Sequence, residues 1–184
     1  MTKDSISILY DLFADLLDYP TLATSLKAGL CCEQLLSLQP EAGGLLESFY
    51  HEMEQRTLEK IQELYTTTFD MQPVCYPYIG YQLFGDSYKR GVFMARLNEA
   101  YYTSGYSAGQ ELPDHLSVIL RFLGLDTVNR DDDFCHALLM EGLIPALGKM
   151  LQAFGSRSEN PYFALLSALH LVLIQNPVKE FGHA

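Results

Sequence analysis

The fold is indicated by residues 64–124, which read LYTTTFDMQPVCYPYIGYQLFGDSYKRGVFMARLNEAYYTSGYSAGQELPDHLSVILRFLG. Within this stretch, the apolar residues of 86–103 recur every three or four positions, the spacing that places them on one face of a helix. Asp86 suits the N-terminal cap of that helix, and Gly105 suits the position just beyond its end. The segment 112–123 shows the same spacing and gives a second predicted helix.

The segment 70–85 has a different composition from the helices around it. It holds two prolines, three tyrosines and almost no charge, so an irregular aromatic loop is predicted. Six aromatic residues in and before this loop offer the apolar rings and hydroxyl groups from which peptide grooves are commonly built. They are Tyr65, Phe69, Tyr76, Tyr78, Tyr81 and Phe84. The alternative is that these rings are ordinary core covered by the loop.

Helical spacing also dominates the rest of the chain. Pro20 ends the first predicted helix, Gly29 divides the second from the third, and Pro40 with Gly43 and Gly44 marks the next break. The predicted helices outside the central stretch are 5–17, 21–28, 31–38, 45–53, 58–69, 134–154 and 161–174.

Polar residues and prolines mark several helix ends. Thr57 and Asn160 can cap the helices that follow them, and Pro113 is expected in a first turn, where its missing N–H costs little. The acidic residues 131–133 favour the dipole of the helix they begin, and Pro145 is expected to kink or divide that helix. Since no segment alternates apolar and polar residues, the predicted class is all-α, a single-domain helical bundle over residues 1–184.

The charge of the chain restricts its partners. Twelve Lys and Arg stand against twenty-three Asp and Glu, a net charge of -11, which repels nucleic acid and anionic lipid and attracts basic peptides. The four cysteines include an adjacent pair and no C-x-x-C, which indicates a reducing cytoplasm rather than a disulfide framework. No run approaches the roughly 20 apolar residues of a membrane span, so none is predicted.

The densest polar cluster is Glu111-Leu112-Pro113-Asp114-His115, at the start of an apolar helix. Free backbone N–H groups at a helix start can hold Glu111, Asp114 or a ligand, and His115 can lie on the same side as Glu111. Two interpretations remain open at this point. The cluster is either a binding site, or Asp114 merely caps the helix while Glu111 favours its dipole and His115 packs in a partly buried place.

The same cluster also resembles half of a metal site, because bundles can bind two metal ions through paired Glu-x-x-His motifs. No second such motif is present, and His51, His136, His170 and His183 lack ligand spacing, so no metal is predicted. The sequence also lacks G-x-S-x-G and a phosphate-binding glycine loop, so no enzyme is predicted.

Several motifs occur together in the central stretch, in a fixed order. They are Leu64-Tyr65-Thr66-Thr67-Thr68-Phe69-Asp70, Pro77-Tyr78, Phe84-Gly85-Asp86, Lys89-Arg90-Gly91, Tyr101 with Gly105, and Glu111-Leu112-Pro113-Asp114-His115-Leu116. In order and spacing they resemble the TorD/DmsD/NarJ family of redox-enzyme maturation chaperones, and most closely its NarJ branch, the nitrate reductase assembly proteins. The TorD and DmsD branch more often has Glu-Ser after Pro-Tyr, where this chain has Ile79-Gly80, so residue roles from that branch transfer less readily.

The resemblance implies an all-helical cytoplasmic chaperone without a cofactor of its own. Such a chaperone binds the N-terminal leader and the body of a molybdoenzyme catalytic subunit until the molybdenum cofactor is inserted, before export or membrane attachment. The cofactor-insertion machinery is a further expected partner. In that family the Asp-His motif and the aromatic loop are associated with leader binding. Together with the aromatic residues above, the predicted peptide-binding set is Glu111, Pro113, Asp114, His115, Tyr76, Pro77, Tyr78, Tyr81 and Phe84.

Two other functions remain as alternatives. One is a regulatory or scaffold module that binds another protein through its acidic surface. The other is a helical metal-dependent enzyme built on Glu111 and His115.

Overall fold

The computed structural model of the chain describes residues 3–125, 132–155 and 159–176. Helices make up the regular structure of these residues, which form no strand beyond one isolated antiparallel bridge between Tyr78 and His115. The predicted all-α class is therefore confirmed. The elements are α1 (Lys3–Leu17), α2 (Thr24–Leu38), α3 (Pro40–Gln55), α4 (Leu58–Phe69), α5 (Ile79–Phe84), α6 (Tyr88–Thr103), α7 (Leu116–Gly124), α8 (Asp132–Ala137), a π-helix (Leu138–Leu143), α9 (Ile144–Phe154) and α10 (Pro161–Gln175).

The helices pack around a shared hydrophobic core. α1 lies against α2 and α7, α3 contacts both α2 and α10, and α9 contacts α10 and α5. α10 is strongly apolar and buries side chains such as Tyr162 and Leu169, as expected of a helix enclosed by its neighbours. α6 is attached more loosely, because of its sixteen residues only Leu97 and Tyr101 are buried.

Glycines predicted to break helices lie inside them instead. α2 is one continuous helix, and a Cβ added to Gly29 would come 3.1 Å from an aromatic ring of α3. α3 begins at Pro40 and continues through Gly43 and Gly44, and a Cβ on Gly43 would lie 2.6 Å from the backbone nitrogen of Leu36. The predicted breaks are wrong, because Gly29 and Gly43 allow α2 and α3 to approach closely rather than forming turns.

The starts of three helices near the centre of the chain also differ from prediction. α5 forms within the segment predicted to be wholly irregular, and Ser87 rather than Asp86 occupies the N-cap position of α6. α7 begins at Leu116 instead of residue 112, so Pro113 precedes the helix and its N-cap is His115. The predicted capping role of Asp114 is wrong, because its side chain is bonded to another helix.

Other predicted helix ends are confirmed. Thr57 occupies the N-cap position of α4, and the side-chain oxygen of Asn160 accepts from the backbone N–H of Tyr162 at 3.0 Å at the start of α10. The π-helix ends two residues before Pro145, which has no N–H to bond to the carbonyl four residues earlier, so the predicted division takes the form of a widened turn. Asp131 and the tail 177–184 lie outside the described residues.

One helical run, Asp132–Phe154, is long and apolar enough to cross a membrane by length and composition alone. Of its most apolar window, 44% is buried inside the protein, and the buried side chains include Leu139, Leu143 and Leu147. A core helix of a soluble protein satisfies the same criterion, so this run is weak evidence for a span. The cytoplasmic location stays a prediction.

Candidate functional site

The loop before α5 is bonded to the loop before α7 through backbone groups. The N–H of Ile79 donates to the carbonyl of Asp114 at 2.7 Å, and the N–H of Leu116 donates to the carbonyl of Pro77 at 2.8 Å. The two loops meet in an antiparallel bridge although they lie far apart in the sequence. The bridge therefore brings the aromatic loop and the acidic cluster into one structure.

Asp114 is fully buried and is paired with Arg90 of α6. The Arg90 Nε donates to Asp114 Oδ2 at 2.7 Å and Nη2 donates to Oδ1 at 3.2 Å, a two-point contact that fixes the guanidinium plane. The same guanidinium lies 5.2 Å from the centre of the Tyr78 ring and 5.8 Å from that of Tyr81. The hydrogen bond to Asp114 raises the pKa of Arg90, and the guanidinium and the carboxylate compensate each other's charge.

Gly80 lies where this ion pair approaches the backbone of α5. A Cβ at this position would come 2.7 Å from Asp114 Oδ2, 2.9 Å from a ring carbon of Phe93 and 3.1 Å from the Cγ of Arg90. Neither the carboxylate nor the guanidinium can shift freely, because each holds the other in a buried place. Glycine is therefore required here by close packing.

His115 is buried and caps α7. Its Nδ1 accepts from the backbone N–H of Ser117 at 3.2 Å and lies 2.8 Å from the Ser117 hydroxyl. Because Nδ1 accepts the backbone bond, the proton of the neutral ring is on Nε2. Burial lowers the pKa of His115, while the carboxylates of Glu111 and Asp18 act in the opposite direction. The ring is held edge to face against Tyr78, with centroids 5.3 Å apart.

Two further contacts fix α7, one at its start and one in its last turn. The Tyr101 hydroxyl of α6 donates to the carbonyl of Pro113 at 2.8 Å. From the other side, the guanidinium of Arg121 donates to Asp15 at 2.8 Å and to Asp18 at 2.5 Å, which ties α7 to α1. α7 is thus held by α6 at its start and by α1 in its last turn.

Around this buried framework lies an exposed surface that we call the aromatic rim, formed by Tyr76, Tyr78, Tyr81, Phe84 and Glu111. Tyr76 and Phe84 are 39% and 38% exposed, and the rings of Tyr76 and Tyr81 are in contact, with centroids 4.6 Å apart. The exposed carboxylate of Glu111 accepts from the N–H of the following residue at 2.8 Å and lies 3.5 Å from the Tyr78 hydroxyl. Burial raises the pKa of Tyr78, and the charge of Glu111 adds to this effect.

The family of the nitrate reductase delta subunit matches residues 34–165 of the sequence. The chain belongs to the nitrate reductase delta subunit family. The match spans α3 to α7, the aromatic rim and the buried ion pair, and extends into α10. The resemblance to nitrate reductase assembly proteins, stated from the motifs of the central stretch, is thereby confirmed.

The fold is shared with a solved structure from Archaeoglobus fulgidus, a protein provisionally described as a redox enzyme maturation protein. The two chains are 21% identical, the superposition has a TM-score of 0.60, and it covers 95% of this chain and 94% of the other. No curated protein matches this chain. This delta subunit family member therefore shares its helical fold with the solved protein over nearly the whole length of both chains.

The structure of this delta subunit family member places the predicted peptide-binding residues in three settings. Asp114, His115 and Pro77 are buried, Pro113, Tyr78 and Tyr81 are half-buried, and Glu111, Tyr76 and Phe84 are exposed. The bridge and the ion pair bring together Pro77, Tyr78, Tyr81, Asp114 and His115. Phe84 lies at the end of α5 with its ring against Phe93.

Tyr65 and Phe69, also considered for the cleft, do not join the rim. Their rings are buried and pack against the buried ring of Tyr162. For these two residues the alternative of ordinary core is therefore the one observed.

The site predicted from the sequence of this delta family member omits Arg90, although Arg90 belongs to the motif Lys89-Arg90-Gly91. A signal for it exists, because a cation in the first turn of a helix opposes the helix dipole and therefore needs a carboxylate partner. Gly80 and Tyr101 gave no comparable local signal, since their roles arise from contacts with residues distant in sequence. Among the described residues, no group of three or more His, Cys, Asp and Glu side chains could hold a metal ion.

Proposed function

We propose that this delta subunit family member is a cytoplasmic chaperone that binds the N-terminal leader of a molybdoenzyme catalytic subunit. In this proposal it assists insertion of the molybdenum cofactor into that subunit before export or membrane attachment. The observation that carries the proposal is the aromatic rim, an exposed apolar surface with one free carboxylate, mounted on a buried and fully paired framework.

The composition of the rim suits a basic peptide with an apolar stretch. Tyr76 and Phe84 offer ring surface, and the Glu111 carboxylate contacts hydrogen-bond donors that leave its charge uncompensated. By contrast, the charge of Asp114 is already neutralised by Arg90. An incoming arginine or lysine would therefore meet Glu111, and the net charge of -11 would speed its approach.

Asp114 and His115 act in this proposal as positioning residues. Asp114 orients Arg90 beneath the rings of Tyr78 and Tyr81, and His115 supports the Tyr78 ring while capping α7. Pro77 and Pro113 act through the backbone, since their carbonyls accept from Leu116 and Tyr101. The framework thus keeps the rim in place before the peptide arrives, which lowers the entropy cost of binding.

The family supports a nitrate reductase type of catalytic subunit as the partner. The body of that subunit and the cofactor-insertion machinery are further proposed contacts. The protein itself is not proposed to be an enzyme or to hold a cofactor.

The test is isothermal titration calorimetry of the full chain with the N-terminal peptides of the molybdoenzyme subunits encoded near its gene. Binding to at least one of them, lost when its basic residues are replaced by glutamine, is the expected result. Absence of binding to every such peptide would contradict the proposal. As a second arm, deleting the gene should lower the molybdenum cofactor content of the partner enzyme, whereas a purely regulatory or scaffold protein would leave that content unchanged.

A further inference from the structure

α2 has two apolar faces, and only one of them belongs to the core. Ala28, Cys31 and Leu35 are buried. On the opposite side Leu26 is 67% exposed and Leu30 is 48% exposed. These two leucines are one helical turn apart. A surface helix normally turns polar residues outward, so an apolar outer face indicates an interaction site.

A groove lies on each side of this exposed ridge. The groove between α2 and α3 has a volume of about 440 Å³, and its apolar lining includes Leu26, Leu30 and Leu36. The groove between α1 and α2 has a volume of about 550 Å³, and its lining includes Ile8 and Leu30. Since Leu30 lines both grooves, they form one continuous apolar surface.

We call this the α2 surface, formed by Ile8, Leu26, Leu30 and Leu36 with the carboxylates of Glu33 and Glu47. Glu33 lines both grooves and Glu47 lines the groove toward α3. Among the described residues that line either groove, none is a lysine or arginine.

The one lysine of α2 does not change this charge balance. Lys27 lies 2.6 Å from Asp15 of α1, which also accepts from Arg121 of α7. The α2 surface is therefore apolar at its centre and negatively charged.

From these observations we propose that the α2 surface docks a basic amphipathic helix of another protein. The α2 residues that line the groove toward α3 run from Ser25 to Leu36, a length of about 16 Å, so this groove matches about three turns of a helix laid alongside it. Leucines at a spacing of four match the apolar face of such a helix, and Glu33 and Glu47 match its lysines or arginines. The charge disfavours a second copy of this chain, because the same carboxylates would face one another.

This contact is separate from the proposed leader site. The α2 surface is built from α1, α2 and α3, whereas the aromatic rim is built from α5 and the two loops beside it. A partner could therefore occupy both surfaces at once, which would raise its overall affinity through an increased effective concentration.

The test uses a fluorescein-labelled helical peptide of leucine and lysine, with the leucines on one face, titrated into the full chain and followed by fluorescence anisotropy. The peptide should bind. A peptide of the same composition with its leucines dispersed around the helix, and a leucine and glutamate peptide, should each bind at least about tenfold more weakly.

Two double variants locate the contact, Leu26→Ser with Leu30→Ser and Glu33→Gln with Glu47→Gln. Each should weaken binding of the lysine peptide by about tenfold. The matched controls are Ile174→Ser, whose side chain is 49% exposed compared with 48% for Leu30, and Glu141→Gln on the exposed side of the π-helix. Both controls should bind like the wild type, and circular dichroism should show the same helix content in all variants.

With the rim weakened by Glu111→Gln in both proteins, equal binding of the lysine peptide with and without Leu26→Ser and Leu30→Ser would overturn the proposal. So would sedimentation velocity showing a wild-type dimer that the Leu26→Ser, Leu30→Ser variant loses, because the occupant would then be a second copy. Titrating a leader peptide into the same variants separates the two proposals, since the leader should bind them unchanged even when the lysine peptide does not.

Discussion

The Nε atom of Arg90 lies 2.7 Å from Oδ2 of Asp114, and this contact joins α6 to the loop before α7 within the protein interior. Asp114 has no exposed side-chain surface and Arg90 has 16%. The two charges stabilise the fold only together, because Asp114 alone would be left without water and without a partner, and Arg90 alone would lose the carboxylate that binds its largely buried guanidinium.

Asp114→Ala is therefore expected to destabilise the protein by about 3 kcal/mol, and Arg90→Ala by a similar amount. The double variant should lose less than the sum of the two single losses, since no charge is then left unpaired. Urea unfolding followed by circular dichroism measures these values. The control is Glu63→Ala, which breaks the exposed Lys60–Glu63 pair and should change stability little. Similar losses from Glu63→Ala and Asp114→Ala would contradict the interpretation.

Gly80→Ala should destabilise the protein by about 1 to 3 kcal/mol, because the new methyl group would overlap Asp114 and Phe93. Gly91→Ala is the matched control, since Gly91 lies in α6 with nothing within 4 Å of its added Cβ. That change should stabilise the protein by about 0.5 to 1 kcal/mol through helix propensity. Thermal unfolding of both variants tests the opposite signs. If both variants changed stability in the same direction, close packing at Gly80 would not be what determines the stability of Gly80→Ala.

Stability should fall as the pH is lowered through the range in which His115 titrates. Burial lowers the pKa of His115 in the folded state, so below the ordinary value near 6.5 the unfolded chain binds a proton that the folded chain does not. The free energy of unfolding therefore decreases as the pH falls, until the pH is below the pKa of His115 in the folded state. His115→Asn keeps a side-chain acceptor for the cap of α7 and should reduce this dependence.

The matched control for that experiment is His170→Gln, because burial also lowers the pKa of His170. Its effect measures how much of the pH dependence comes from a second histidine. Urea unfolding between about pH 7 and 5 gives the three profiles, and the expected slope is at most about 1.4 kcal/mol per pH unit for one proton. A His115→Asn profile identical to that of the wild type would exclude His115 as a source.

Rim variants should weaken peptide binding while lowering stability less than Asp114→Ala does. Tyr76→Ser, Phe84→Ser and Glu111→Gln change exposed side chains, and each is expected to weaken leader binding by about tenfold. Tyr102→Ser is the matched control, since Tyr102 is an 89% exposed aromatic of α6 outside the rim. Calorimetry at two salt concentrations measures the effect. The Glu111→Gln complex should be less sensitive to salt than the wild-type complex, and equal sensitivity would indicate that Glu111 meets no cation.

α6 should exchange its amide protons sooner than α10. It buries two of its sixteen side chains, whereas α10 buries eight of fifteen, including Pro161 and Leu173. Hydrogen exchange followed by mass spectrometry should show this order, and Arg90→Ala should accelerate exchange in α6 further. Equal protection of the two helices would show that contacts outside those described stabilise α6.

Helices whose spacing and end signals are local could be predicted from the sequence. α4 and α10 are examples, since Thr57 and Asn160 stand directly before their apolar patterns. Gly29 and Gly43 could not be interpreted correctly, because a glycine that allows two helices to approach looks the same in sequence as one that ends a helix. The partner that distinguishes the two cases lies on another helix.

The arrangement of the candidate site can be predicted only in part, for the same reason. The acidic cluster and the aromatic loop can each be identified from the sequence, because the residues of each lie close together in the chain. The buried state of Asp114 cannot, since it depends on Arg90, which lies 24 positions earlier. The Asp114 carboxylate, which from sequence alone is available to cap a helix or bind a ligand, is therefore already paired with Arg90 inside the protein.

The division between a buried anchor and an exposed rim has an evolutionary consequence. Gly80, Arg90 and Asp114 constrain one another, so a change at one of them requires compensation at the others. Tyr76, Phe84 and Glu111 lie outside this set of buried contacts, so we expect substitutions there to disturb the scaffold less. After gene duplication, two copies could diverge at the rim toward different partners while inheriting the same anchor unchanged.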